Sequence, residues 1–231
     1  MRISHRHKFV FIAIQKTGSG AVRHALNEYS DIASIDHSNQ TDTLNFPNLE
    51  SHILGSHLTA KEVNKLFFKN NSKKFKSYFK FAFVRNPWDR MVSWYEHMKA
   101  EPWITNSRIQ NYIKLNYSLS DFLRSEYEMT NNKKNKTSYY FGYNKYYEGR
   151  AGKNLLDFIG KLENLQEDLD IVCDKIGITR QKLKHFNKRS RRSSGKRKHK
   201  HYTEYYDDES QQIVAEKYAK DIEYFNYKFG E

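Results

Sequence analysis

Short apolar runs alternate along the chain with amphipathic segments that have apolar residues at helical spacing. Residues 9–14 and 79–84 are almost wholly apolar, which predicts strands that are buried on both faces of a sheet. Residues 52–55 and 157–162 predict two further strands. Strands that alternate with helices are typical of a mostly parallel sheet with helices on both faces. The pattern therefore predicts an α/β fold with a central sheet flanked by helices.

Helix boundaries are marked by specific residues. After the first strand, an apolar face recurs at Ala21, Val22, Ala25, Leu26 and Tyr29. Thr59-x-x-Glu62 predicts a capping box that opens a helix through Leu66, and Asn86-Pro87 predicts an N-cap followed by proline at the first helical position. Residues 165–176 predict another helix, and residues 213–225 predict one long helix.

Composition narrows the class of protein. The 231 residues fit one domain, and 38% hydrophobic with 15% aromatic residues indicates a globular chain. No apolar run approaches the roughly 20 residues of a membrane span, and residues 9–14 are too short for the apolar region of a signal peptide. Cys173 is the only cysteine, which favours a reducing, cytoplasmic location.

The net charge of +13 is concentrated in one segment. Residues 182–201 contain ten Lys/Arg and no Asp or Glu, whereas the rest of the chain has 30 Lys/Arg and 27 Asp/Glu. The charge is therefore local, and a general nucleic-acid surface is not predicted. We interpret residues 182–201 as a basic loop that is either solvated or holds a polyanion.

Three loops are candidates for one site. Ligands of such sheets bind beyond the carboxyl ends of the strands, where residues 16–20, Ser56-His57 and Arg85-Asn86 are expected to meet. Glycines next to Lys16 let backbone N–H groups approach an anion, although a plain strand-to-helix turn is the alternative. The loop is not a Walker A motif, because its lysine precedes the glycines.

Arg85 provides a guanidinium fork at the end of a buried strand, which suits a bidentate phosphate contact. Ser93, two turns into the next helix, adds a hydroxyl. The alternative is that Arg85 pairs with Asp89 and that Ser93 is a small packing residue.

Two stretches together resemble a known family. QKTGSG and FAFVRNPWDRMVSWY are similar to the two cofactor-binding signatures of sulfotransferases that use 3′-phosphoadenosine-5′-phosphosulfate (PAPS). The similarity is greatest to the carbohydrate-acting branch, sulfotransferase family 2, which includes heparan sulfate 2-O-sulfotransferase and bacterial relatives. Segments 161–169 and 201–229 also resemble this family. The resemblance implies a single sulfotransferase domain over residues 1–231, with a P-loop-NTPase-like fold.

The resemblance also implies a cofactor and its ligands. PAPS, with PAP as its product and no metal, is expected to bind through its 5′-phosphosulfate to Lys16, Thr17, Gly18, Ser19, Gly20 and Ala21. Its 3′-phosphate is expected to bind Arg85 and Ser93. HFNKRS resembles a loop that folds over the nucleotide, which implies contacts from Asn187, Lys188 and Arg189. Gln15 stands where relatives usually carry proline, and Ala21 stands where they carry a hydroxyl residue.

Sulfuryl transfer needs a base for the acceptor and a cation for the leaving oxygen. Lys16 suits the second task. His57 is the candidate base, because relatives carry histidine in a matching segment and an unperturbed imidazole titrates near pH ~6.5. His52 is the reserve candidate.

The sequence thus predicts transfer of the sulfuryl group of PAPS to a hydroxyl of a glycan, either neutral or anionic. Residues 101–150 match no known pattern and are expected to handle this acceptor. Two alternatives stay open. One is a P-loop-like kinase or nucleotide hydrolase, and the other is a non-catalytic module that binds polyanions through residues 182–201.

Overall fold

The computed structural model describes residues 1–35, 48–53, 57–100, 118–130, 153–183 and 200–231. The backbone groups in space into two compact units, residues 1–85 with 143–194 and residues 86–142 with 195–231. The predicted acceptor region 101–150 is described only at residues 118–130. The basic loop 182–201 is described only at its two ends.

The first unit contains a six-stranded sheet. Its strands, in chain order, are β1 Arg2–Ser4, β2 Phe9–Ile12, β3 Ile32–Ile35, β4 Glu50–Ile53, β5 Phe79–Val84 and β6 Phe158–Lys161. They lie side by side in the order β4-β3-β1-β2-β5-β6. β1 is antiparallel to both of its neighbours, and the other three pairings are parallel. All strands except β1 therefore run in one direction, which confirms the mostly parallel α/β prediction.

The helices, in chain order, are α1 Ser19–Ala25, α2 Ala60–Phe68, α3 Ser72–Lys76, α4 Pro87–Ala100, α5 Leu119–Thr130, α6 Leu165–Ile176, α7 Asp208–Lys217 and α8 Ala219–Phe225. α1 and α6 pack on one face of the sheet. The shared core contains phenylalanines of β2 and β5 with aliphatic residues of both helices: Phe9, Phe11, Phe81, Phe83, Val22, Leu26, Leu169, Val172 and Ile176. The four residues of β2 are completely buried, as expected of a strand covered on both faces.

The predicted capping box is present at the start of α2. The Glu62 N–H donates to Thr59 Oγ1 at 3.2 Å, and the Thr59 N–H donates to Glu62 Oε2 at 2.7 Å. Such a cap stabilises a helix by about 1 kcal/mol. α2 thus begins at a fixed residue, Ala60, three residues after His57, and it ends at Phe68 rather than Leu66.

The second unit is helical. α4 packs against α5, α7 and a 3₁₀ turn at Tyr202–Tyr205. The prediction of one long helix over residues 213–225 is wrong, because α7 ends at Lys217 and α8 begins at Ala219. Tyr218 lies at the break, where it is buried and its hydroxyl donates to Met91 Sδ at 3.5 Å. Within the residues that the structure describes, no helix combines the length and the apolar character needed to cross a membrane.

Candidate active site

The loop between β2 and α1 has an unusual backbone. Lys16 has φ +61° and Gly18 has φ +74°, so both residues are in the left-handed region. For a residue with a side chain this conformation costs roughly 1–2 kcal/mol. Strained residues of this kind persist only where the surrounding structure holds them, and they concentrate at functional sites. The left-handed conformation of Lys16 is therefore one that the surrounding contacts must stabilise.

Gly18 at the end of this loop and Gly20 in the first turn of α1 are glycine for different reasons. A Cβ on Gly18 would lie 2.8 Å from methyl groups of Leu162 and Leu165, so both its φ and its packing require glycine. A Cβ on Gly20 would meet no atom within 4 Å. Glycine inside a helix costs about 0.5–1 kcal/mol relative to alanine. The packing of the protein does not require Gly20, so the open space beside it suits a ligand that approaches the backbone closely.

The side chain of Thr17 closes the loop. It is fully buried, and its Oγ1 donates to the carbonyl of Ile14 at 3.0 Å. The hydroxyl proton is therefore used within the loop, and the predicted contact of Thr17 with an anion would come from its backbone N–H. At the start of α1, the N–H groups of Ala21 and Val22 donate to the Gly18 carbonyl at 3.0 and 3.3 Å. The predicted roles of Ser19 and Ala21 stay predictions.

Arg85 lies against this loop. β2 and β5 are adjacent parallel strands, so their carboxyl ends meet at one edge of the sheet. The Arg85 Nη1 donates to the Lys16 carbonyl at 3.2 Å. The predicted convergence of these two loops is therefore observed. The same guanidinium that suits a phosphate also holds the backbone of Lys16, which is one reason why Lys16 can keep its left-handed conformation.

His57 reaches the same loop from the start of α2. Its Nδ1 lies 2.7 Å from the carbonyl oxygen of Ala13, directly after β2. A carbonyl only accepts hydrogen bonds, so Nδ1 carries the proton and the neutral ring has its lone pair on Nε2. Ser56, which precedes His57, lies outside the described residues. The arrangement gives His57 the tautomer that a base acting through Nε2 requires.

The reserve candidate His52 has different neighbours. It lies on β4, at the end of the sheet opposite β6, and its Nε2 is 2.7 Å from Glu50 Oε1. Its ring packs edge-on against Phe67 at 5.3 Å between centroids. His52 thus contacts its own strand and α2, whereas His57 contacts the β2–α1 loop.

The start of α4 is anchored within the second unit. Asn86 Oδ1 accepts the Trp88 N–H at 3.1 Å, so the predicted N-cap before Pro87 is confirmed. Asn86 Nδ2 also donates to the Lys228 carbonyl at 2.9 Å and to the Tyr202 hydroxyl at 3.4 Å. Sequence patterns predicted the cap but gave no signal for this second contact, because it joins residues far apart in the chain. Asn86 therefore fixes the start of α4 within the second unit.

Aromatic residues surround this anchor. The rings of Trp88, Tyr202 and Tyr206 each pack edge-on against Phe229, with centroids 5.5–5.7 Å apart. The Tyr206 hydroxyl donates to the Trp88 carbonyl at 2.8 Å. Burial raises the pKa of Tyr206, which keeps its hydroxyl protonated as a donor. Ser93 lies half-buried on α4 in this unit, and its contact with a phosphate stays a prediction.

The remaining predicted ligands, Asn187, Lys188 and Arg189, lie outside the described residues. Within the described part of the chain, no three His, Cys, Asp or Glu side chains are grouped as metal ligands. Around one loop the structure therefore brings together a lysine, a guanidinium fork and an imidazole. Such a set can bind an anion, neutralise charge that grows on an oxygen, and accept a proton.

Comparison with known proteins identifies the family. An uncharacterized protein of Archaeoglobus fulgidus is 32% identical over 106 residues, which cover 46% of this chain and 73% of that relative. Among solved structures, mouse sulfotransferase SULT7A1 complexed with PAP covers 99% of this chain and 69% of its own, with 14% identity and a TM-score of 0.37. A family model described as the sulfotransferase family matches residues 1–228. This match spans nearly the whole sequence, so the chain belongs to the sulfotransferase family.

Proposed function

We propose that the protein transfers the sulfuryl group of PAPS to a hydroxyl of a carbohydrate acceptor. One observation carries the proposal: the side chains of Arg85 and His57 both bind carbonyl groups of the loop that contains Lys16. The groups needed for anion binding and for proton transfer are thus attached to one short segment. Membership of the sulfotransferase family favours this activity over a kinase, a nucleotide hydrolase or a non-catalytic polyanion-binding module.

The residues of the loop suit a nucleotide with two phosphate positions. Lys16 and Arg85 supply the positive charge, and the space beside Gly20 leaves room for close approach to the backbone. The N–H groups of Thr17, Gly18, Ser19 and Gly20 would add hydrogen bonds to the 5′-phosphosulfate. Bound PAPS would supply an activated sulfuryl group and a nucleotide leaving group.

Ligands of the 3′-phosphate are proposed to come from several parts of the chain. Arg85 is proposed to bind it with its guanidinium fork, and Ser93 with its hydroxyl. Asn187, Lys188 and Arg189 are proposed to fold over the nucleotide, as the resemblance of their segment to the family implies.

The roles of Lys16 and His57 follow from their chemistry. The ammonium of Lys16 stabilises negative charge that develops on the departing oxygen. His57 Nε2 accepts the proton of the acceptor hydroxyl, while the Nδ1–H keeps its hydrogen bond to the Ala13 carbonyl. That carbonyl orients the ring before reaction and stabilises the imidazolium afterwards, because its oxygen carries a partial negative charge.

The acceptor is proposed to be a hydroxylated glycan, and residues 101–150 are proposed to contact it.

Cys173, the one cysteine of the sequence, is buried in the core of the first unit. A chain with one buried thiol needs no oxidising compartment, so a cytoplasmic location remains part of the proposal.

The direct test is to identify the cofactor and then the reaction. We expect PAP to raise the melting temperature and to bind in calorimetry, while ATP and NAD have smaller effects. Labelled sulfate should then move from PAPS to one of a panel of polysaccharides. In Lys16→Ala both PAP affinity and kcat should fall, because Lys16 acts in the ground state and the transition state. Absence of PAP binding to the folded wild-type protein would refute the proposal.

A further inference from the structure

After α6 ends, the chain turns back and runs along the same helix toward its beginning. Residues 178–183 form this returning segment. Arg180 pairs with Asp174 at 2.8 Å, and one residue later the Gln181 carbonyl accepts a hydrogen bond from Gln166 Nε2 at 3.0 Å. Asp174 and Gln166 are separated by about 12 Å along the helix axis. The returning segment therefore leads back to the first turn of α6.

The side chain of Gln166 holds the returning segment by its backbone. Gln166 Oε1 accepts the Leu183 N–H at 2.9 Å, and Nε2 donates to the Gln181 carbonyl at 3.0 Å and to Asp170 Oδ1 at 2.9 Å. The carbonyl and the carboxylate only accept hydrogen bonds, whereas the Leu183 N–H only donates. All three partners therefore require the same orientation of the Gln166 amide.

The contacts of Gln166 with the returning segment do more than stabilise α6. The bond to Asp170 joins residues four apart on one helix, and such a pair stabilises the helix itself. The bonds to Gln181 and Leu183 join α6 to a segment beyond its end. Gln181 Nε2 also donates to the Tyr29 hydroxyl at 2.9 Å, and Leu183 packs against the core that α1 and α6 share. The returning segment is thus fixed on both helices.

The same turn of α6 contacts the candidate loop. Leu165, the neighbour of Gln166, packs so closely that its Cδ2 would lie 2.8 Å from a Cβ on Gly18. One helical turn therefore contacts the β2–α1 loop through Leu165 and the returning segment through Gln166. Segment 161–169, which contains this turn, resembles the family although none of its residues is a predicted ligand. A role in positioning accounts for both observations.

We propose that Gln166 is a positioning residue for the nucleotide, because it fixes the returning segment relative to the β2–α1 loop. The inference rests on the proposed function, in which residues 187–189 bind the nucleotide together with the ligands of its 3′-phosphate. Asn187 follows Leu183 by four residues, and four extended residues reach at most about 14 Å. A fixed Leu183 therefore restricts these ligands before binding, which lowers the entropy that nucleotide binding must remove.

The test compares two Gln→Met substitutions. Gln166→Met nearly keeps the length of the side chain and removes both bonds to the returning segment. Gln212→Met is the matched control, because Gln212 Nε2 also donates to a carboxylate four residues later, Glu216 Oε1, at 2.9 Å, but lies exposed on α7. Calorimetry measures the affinity for PAP and for adenosine 5′-phosphosulfate, which lacks the 3′-phosphate. Thermal melts show that each variant is folded.

Two further measurements show how Gln166 acts. Gln166→Met is also made in a background with Lys188→Ala and Arg189→Ala, which completes a double-mutant cycle. Hydrogen exchange of the Leu183 N–H, followed by NMR without nucleotide, reports on the contact with Gln166 itself.

We expect Gln166→Met to bind PAP roughly ten-fold more weakly than wild type, and Gln212→Met to bind it as wild type does. Both variants should bind adenosine 5′-phosphosulfate within about two-fold of wild type. In the background without Lys188 and Arg189, Gln166→Met should cost less than about two-fold in PAP affinity, because its effect acts through these side chains. The Leu183 N–H should exchange faster in Gln166→Met.

A merely structural role of Gln166 predicts other results. Equal PAP affinity of the two Met variants would overturn the inference, as would an equal loss for both ligands. It would also be overturned by a loss of PAP affinity that persists in full without Lys188 and Arg189, or by unchanged exchange of the Leu183 N–H. Absence of PAP binding to the wild-type protein would refute the proposed function together with the inference, whereas PAP binding by wild type with no difference between the variants would refute the inference alone.

Discussion

Two substitutions of His57 separate its structural contact from its chemical role. The Nδ1–H of His57 donates to the Ala13 carbonyl at 2.7 Å. Asparagine carries an amide N–H at nearly the same position as Nδ1 but has no basic lone pair in place of Nε2. His57→Asn should therefore keep the hydrogen bond and lose the base. His57→Ala should lose both.

The expected magnitudes differ for stability and for rate. A neutral hydrogen bond contributes about 0.5–1.5 kcal/mol to the free energy of unfolding. For a protein of this size, 1 kcal/mol corresponds to roughly 2–4 °C in melting temperature. His57→Ala should melt a few degrees below wild type, whereas His57→Asn should melt close to it. Both variants should lose turnover by about 10²–10⁴-fold, which is the usual contribution of a general base.

The assay measures thermal melts, PAP affinity by calorimetry, and transfer of labelled sulfate from PAPS on the same preparations. PAP affinity should stay at the wild-type level in His57→Asn, because His57 is proposed to touch the acceptor and not the nucleotide. It should fall slightly in His57→Ala, because the β2–α1 loop loses the hydrogen bond to the Ala13 carbonyl. Near-normal transfer by well-folded His57→Asn would refute the assignment of the base. In that case His52, which pairs with Glu50 on β4, would be tested next.

Three further predictions concern other parts of the structure. Arg85→Lys should weaken PAP binding roughly ten- to a hundred-fold in calorimetry. It should also weaken the binding of adenosine 5′-phosphosulfate, which lacks the 3′-phosphate, because the Lys16 carbonyl loses its guanidinium donor. Unchanged affinity for adenosine 5′-phosphosulfate would show that the contact with the Lys16 carbonyl is unimportant. Gly20→Ala should stabilise the ligand-free protein by about 0.5–1 kcal/mol in thermal melts, since a Cβ there meets no atom within 4 Å. The same substitution should weaken PAP binding, because the methyl group occupies the space beside the backbone. Equal PAP affinity would mean that the nucleotide does not use this space. Hydrogen bonds from Ser210 and Ser120 lower the pKa of Asp207 to about 2. Ionised Asp207 therefore stabilises the folded protein above pH ~4, and this contribution is lost as the pH falls toward 2. Asp207→Asn should reduce the fall in the free energy of unfolding between these pH values, and an unaltered pH dependence would contradict the prediction.

Sequence patterns predicted best those strands and helices in which the run of buried residues ends at the same position as the residues that mark an end of the element. β5 was predicted at residues 79–84 and is observed at Phe79–Val84, because an apolar run ends at Arg85 and a capped helix follows. The helix at Leu165–Ile176 was found for the same reason, with apolar residues every three to four positions. In both cases the local pattern and the tertiary environment require the same residues.

Other elements carried no readable pattern. β1 consists of Arg2, Ile3 and Ser4, all buried, and its polar residues resemble a solvated N-terminal segment. Arg2 can be buried there because its Nε donates to Asn27 Oδ1 at 2.6 Å, a partner 25 residues away that the local sequence does not reveal. The break at Tyr218 was missed because apolar residues keep their helical spacing across it. Long-range contacts decide both cases.

Residues around the β2–α1 loop hold the loop in place, in addition to the contacts with a ligand that are proposed for them. The carbonyls of Ala13 and Lys16 accept hydrogen bonds from His57 and Arg85, which belong to other parts of the first unit, and the Ile14 carbonyl accepts one from Thr17 within the loop. The loop is thus held at two points from outside and closed by one bond within, which offsets the strain of the left-handed Lys16. A loop held in this way loses little conformational entropy when an anion binds. It also couples the proposed base to the proposed anion ligands through the backbone, so a substitution at either His57 or Arg85 acts on the loop as well as on its own target.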